Sequence, residues 1–124
     1  MNVLVDTSVW VSHFKKANES LVSLLLQDRV LTHAMVIGEL ACGTPPSRQQ
    51  TFAALSQLEP AVTATNDEVM SLIDREQLFG LGCGWVDISL LASALITPAC
   101  RLWTLDKRLA KLAARFEVGF PAGY

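Results

Sequence analysis

A chain of 124 residues, 51% hydrophobic and 18% charged, carries enough apolar material for a single domain over 1–124 with one core, which excludes a disordered polypeptide. No apolar run is long enough to span a bilayer, and the opening MNVLVDTSVW places an acid where a secretory leader needs unbroken apolar sequence, so a cytoplasmic protein without membrane contact is expected. A net charge of −2 excludes a protein that grips nucleic acid by bulk charge, and three cysteines without ligand spacing (Cys42, Cys83, Cys100) exclude a disulfide framework or zinc site and read as small buried residues.

In chain order, residues 2–5 are a short apolar run ending in Asp6-Thr7-Ser8, a buried strand feeding a helix. Helical spacing follows through 9–14 and 21–26, and residues 29–32 read as a second strand. Residues 34–42 are apolar on nearly every side, which predicts a buried helix with one acid, Glu39, inside it. Thr44-Pro45-Pro46-Ser47 stops that helix and caps another running to about residue 58. Residues 61–64 are a candidate third strand, and Asn66 caps a helix to about residue 79. After the glycine-rich break 80–84 come a helix over 86–96, a last strand over 102–105, and a helix that begins at Asp106. Strands alternating with helices indicate an α/β fold, a parallel sheet with helices on both faces.

Four acids stand out, each with a local alternative. Asp6 and Asp106 both follow an apolar strand and precede a helix, where a carboxylate caps free backbone N–H groups. The same position lies beyond the carboxyl end of a parallel strand, where such sheets bind ligands. Asp87 opens the helix WVDISLLASALI, where the helix dipole favours an acid. Glu39, surrounded by Met35, Val36, Cys42 and Gly43 at helical spacing, needs a cation, a hydrogen-bond cage or a raised pKa if buried. Two like charges at hydrogen-bonding range repel by roughly 4 kcal/mol at an effective dielectric near 20. A divalent cation reverses that sign, and oxygen ligands without His or Cys suit Mg²⁺ or Mn²⁺. Such an ion can orient a phosphodiester and lower the pKa of a bound water.

The stretches VLVDTSVW, IGEL, GWVDISLLASAL and LWTLDKRLAKLA, in this order over essentially the whole chain, resemble the PIN-domain family, and in particular the VapC-type toxins of toxin–antitoxin pairs. The resemblance implies a three-layer α/β/α sandwich around a parallel sheet, with Asp6, Glu39, Asp87 and Asp106 as the catalytic acids of an endoribonuclease that cuts single-stranded RNA. Asp6, Asp87 and Asp106 would hold Mg²⁺ or Mn²⁺, with Glu39 ligating or positioning the attacking water. Thr7, Ser8 and Thr104 fall at the family's hydroxyl positions beside the site. The resemblance further implies a homodimer and a small VapB-like antitoxin whose C-terminal segment covers the cleft.

Five of the ten basic residues (Arg101, Lys107, Arg108, Lys111, Arg115) lie in one C-terminal stretch, which suits either a phosphate-facing patch or a solvated helix face. Lys107, Arg108 and Lys111 are candidates for holding flanking RNA phosphates. His13 and His33 lack ligand-spaced partners and read as structural or surface residues. Trp10, Trp85 and Trp103 adjoin the acidic motifs, and core packing is favoured over base stacking because each lies in an apolar segment. The break 80–84 follows a helix, so it is not a dinucleotide-binding turn.

Rival readings fail on particular residues. A receiver-type domain needs paired acids after the first strand, and a dehalogenase-type phosphatase needs a second Asp where Ser8 stands. The remaining alternative is a PIN-like domain that binds RNA or protein without cutting.

Overall fold

A computed structural model describes residues 1–121. Its centre is a parallel four-stranded sheet ordered β3-β2-β1-β4, with β1 at Asn2–Val5, β2 at Val30–Thr32, β3 at Glu59–Pro60 and β4 at Cys100–Trp103. The inner strand β1 pairs Asn2–Val5 with Cys100–Trp103 in register on one side, and Val3 and Leu4 with Val30 and Leu31 on the other. Val3, Leu4 and Val5 point alternately to opposite faces yet all are fully buried, so helices cover both sides of the sheet. The result is a three-layer α/β/α sandwich. Among the described residues, no helix is long and apolar enough to cross a membrane.

The helices are α1 (Thr7–Lys15), α2 (Glu19–Leu26), α3 (Ala34–Ala41), α4 (Arg48–Leu55), α5 (Asn66–Glu76), α6 (Trp85–Ile96) and α7 (Lys107–Arg115). The buried helix is α6, whose residues from Ile88 to Ala94 are all enclosed. In α3, expected to be buried all round, only Val36 and Leu40 face the core, and Glu39 is exposed. Its other outward positions are Ala34, Gly38 and Ala41, residues too small to demand burial.

The third strand also differs from expectation. The sheet takes Glu59–Pro60, and only the N–H of Ala61 continues the pairing, to the Thr32 carbonyl at 2.8 Å. Proline at this edge offers no donor, and the chain then leaves the sheet for α6, where Ala64 N–H donates to Ser93 Oγ at 3.0 Å. The cap of α5 is Thr65 in a reciprocal pairing with Glu68, one residue before the expected Asn66. Past α7, Leu102 N–H donates to the Val118 carbonyl and Phe120 N–H to the Leu102 carbonyl, which covers the outer edge of β4. Cys100 is buried as expected and Cys83 half-buried, but Cys42 is exposed at the end of α3. Trp10 and Trp103 belong to the core, whereas Trp85 is 38% exposed, because it occupies the first position of α6 at the sheet's carboxyl edge.

Candidate active site

The carboxyl ends of β1 and β4 lie side by side, so Asp6 and Thr104 emerge together. Asp6 stands at the cap position of α1 but makes no side-chain cap bond. Its Oδ2 accepts instead from Thr104 Oγ at 2.7 Å and from Ser8 Oγ at 2.8 Å. Each hydroxyl has one proton and gives it to Asp6; each in turn accepts a backbone N–H at 3.0 Å, Thr104 from Asp106 and Ser8 from Leu105. Two polarised hydroxyls therefore hold one oxygen of an almost fully buried carboxylate.

The remaining acids are anchored in a similar way, each by one oxygen. Glu39 Oε1 accepts from Thr7 Oγ at 2.6 Å, which ties α3 to the first turn of α1. Asp87 Oδ2 accepts the Gly84 N–H at 3.3 Å, and Asp106 Oδ1 caps α7 by accepting the Leu109 N–H at 2.9 Å. Among the described residues, the second oxygen of each carboxylate accepts no hydrogen bond.

Asp87 also senses the other three acids. The Asp87 carboxyl is pushed above the usual range, first by partial burial and then by the negative charges of Asp6, Asp106 and Glu39, against the opposing bond from Gly84. The structure thus brings together all four acids singled out from sequence, with Thr7, Ser8 and Thr104 each bonded to one of them. Among the described residues, no three of these side chains close around a common point as an ion cage would. By donor chemistry the set is all hard oxygen, with one oxygen per carboxylate to offer, which suits a divalent cation such as Mg²⁺.

The chain matches the PIN domain model over residues 3–115. This chain is a member of the PIN-domain family. It is also similar to Ribonuclease VapC32 of Mycobacterium tuberculosis, in strains CDC 1551 / Oshkosh and ATCC 25618 / H37Rv alike, at 43% identity over 116 residues covering 94% of each protein. The PIN match contains all four acids and the three hydroxyls.

Around this centre lie residues to which the sequence assigned packing roles or none. Trp85 and Leu105, both exposed, each sit within two positions of an acid, Asp87 and Asp106. Cys83, beside them, has its thiol pushed up mainly by burial, then by Asp87 and Asp106, with Arg108 opposing. The signal for Trp85 was available: a tryptophan at the first position of a helix, after glycine, has no preceding turn to cover it. Among the basic candidates Lys107, Arg108 and Lys111 are all exposed, and none makes a hydrogen bond or ion pair among the described residues. Arg101 and Arg115 are instead engaged, with the Glu117 and Glu76 carbonyls.

Proposed function

We propose that this PIN-domain chain is a divalent-metal-dependent endoribonuclease acting on single-stranded RNA, and that it serves as the toxin of a toxin–antitoxin pair. The observation that carries this reading is the arrangement of four carboxylates at one sheet edge, each fixed through one oxygen, with Asp6 held by hydroxyls in place of its own helix. The similarity to a protein named ribonuclease supports RNA as substrate.

Asp6, Asp87 and Asp106 would hold Mg²⁺ or Mn²⁺. Such an ion would supply positive charge against a phosphodiester and would lower the pKa of water held beside it. The chain's own residues do the positioning. Ser8 and Thr104 fix the orientation of Asp6, and the Gly84 and Leu109 N–H groups fix Asp87 and Asp106. Thr7 holds Glu39 Oε1, which leaves Oε2 to orient the water that attacks phosphorus opposite the departing 3′ oxygen.

Purified protein incubated with single-stranded RNA should cut it in Mg²⁺ or Mn²⁺, stop in EDTA and resume on adding excess metal. Cleavage indifferent to EDTA would sink the metal reading, and binding without cleavage would make the protein a non-cutting RNA binder. The toxin role predicts growth arrest on expression, relieved by a small protein encoded beside it that copurifies with the chain. A homodimer is part of this reading, and light scattering on the purified chain should return twice the 13.5 kDa mass.

A further inference from the structure

Four carboxylates repel RNA before any ion is bound, and the chain's net charge of −2 supplies no general attraction. A strand must therefore be drawn in by a local cationic surface. One groove answers to this description. It lies between the glycine-rich loop and α7, encloses about 520 Å³, and is lined by Leu81, Arg108, Lys111, Leu112 and Arg115. The three cations recur at helical spacing, so they form one stripe down α7, and Leu81 and Leu112 give the groove apolar surface. The stripe starts two residues after Asp106 and leads away from the acids over about 10 Å of helix.

The loop is shaped around the first cation. Gly82 has a positive φ of +84°, and a Cβ placed there would fall 2.7 Å from Arg108 Cδ and 2.9 Å from its Nη1. The absent side chain is the notch through which the arginine passes. The same loop runs on to Gly84, whose N–H holds Asp87, and Arg108 stands two residues past Asp106. Groove and acidic cleft therefore adjoin. Arg108 and Lys111 make no hydrogen bond or ion pair among the described residues.

We propose that this groove is the track for RNA flanking the scissile phosphate, with Arg108, Lys111 and Arg115 on successive phosphates and Leu81 and Leu112 against a base. It rests on the ribonuclease reading and sharpens it. It replaces Lys107, which does not line the groove, with Arg115.

The test measures binding of a fluorescent single-stranded RNA across a salt series, in an Asp6→Asn background so that the strand survives. For single strands, each phosphate contact contributes about 0.7 to the slope of log affinity against log salt. Arg108→Gln/Lys111→Gln should lower that slope by about 1.4, and adding Arg115→Gln by about 2 in all. Arg75→Gln on α5 should leave the slope unchanged. The double variant removes no hydrogen bond among the described residues, so it tests the groove even if loss of the Arg115 bond to Glu76 weakens the triple variant. Gly82→Ala, which alters no charge but displaces the Arg108 side chain, should weaken RNA binding less than Arg108→Gln does. A slope unchanged in the double variant overturns the proposal, as does a groove that takes a poly-glutamate peptide in preference to RNA. The ribonuclease reading stands or falls separately, on whether the unmodified chain cuts RNA.

Discussion

Two strand-to-helix junctions at the same edge of the sheet hold buried polar side chains in opposite ways. After β2, His33 caps its own helix: Nδ1 accepts the Met35 N–H at 3.1 Å, which places the ring proton on Nε2, 2.9 Å from Ser93 Oγ. Ser93 also accepts the Ala64 N–H and donates to the Ser89 carbonyl, so both ring nitrogens of His33 and the Ser93 hydroxyl are matched. After β1, Asp6 forgoes the cap bond, takes two hydroxyls on one oxygen and leaves the other unengaged. The His33 group is closed on itself and locks elements together. The Asp6 group is held from behind and faces the cleft. A buried polar residue whose hydrogen bonds are all internal is structural; one braced on a single side is prepared to meet something that is not the protein.

The sharpest way to break this contrast is to neutralise each centre in turn. Asp6→Asn should reduce RNA cleavage by about 10³-fold or more, the several kcal/mol a metal-binding carboxylate supplies, while circular dichroism stays unchanged. Retained cleavage would remove Asp6 from the site. Thr104→Val, which removes one brace of Asp6 and the acceptor of the Asp106 N–H, should lower kcat/KM by about 10–100-fold. His33→Ala should do the reverse, lowering unfolding free energy in urea by about 2–3 kcal/mol and leaving cleavage per folded molecule nearly intact. If its activity fell as far as that of Asp6→Asn with stability kept, the two junctions would not differ in kind.

Two smaller effects follow from protonation. Burial holds the His33 pKa below its ordinary 6.5, so the folded protein binds that proton less tightly than the unfolded chain. Stability should be complete above about pH 7 and decline as pH falls below 6.5 toward the lowered folded value; this limb should flatten in His33→Gln. For Asp87 the sign reverses. Its pKa is raised, so its charge disfavours the fold at neutral pH and protonation relieves that cost. The metal-free Asp87→Asn protein should melt slightly higher at pH 7 than its parent, although it no longer cuts RNA. An equal or lower melting temperature would mean that the repulsion among the acids is screened away.

Most of the architecture was legible from the chain because strong signals agreed. The apolar runs of β1 and β4, and the long apolar stretch of α6, each admit one reading. The errors come from residues whose letters mislead about area. Ala34, Gly38 and Ala41 count as apolar but bury little, so α3 looked enclosed when Glu39 stands on an open face. Glu39 is therefore not a buried acid, and its hydrogen bond from Thr7 with its charge acting on Asp87 is what joins it to the site. The third strand was misplaced because two residues at a proline-bearing edge carry no alternation to read. For Asp6 and Asp106 the sequence left cap and ligand equally open, and the structure separates them. Asp106 does cap its helix, and Asp6 does not. The groove along α7 was half visible: the cations were evident, but Gly82 gains its meaning only when Arg108 lies across it.

The bond between Thr104 and Asp6 spans 98 positions, and β1 gains its outer partner only when β4 is present. Such contacts close the largest loops in the chain, which makes them slow to form in folding. A growing polypeptide that has not yet made β4 has Asp6 held by Ser8 alone, without its Thr104 brace, and lacks Asp106 altogether. Under the proposed ribonuclease reading, chemical competence arrives only with the C-terminal strand and helix, and the fold acts as its own delay.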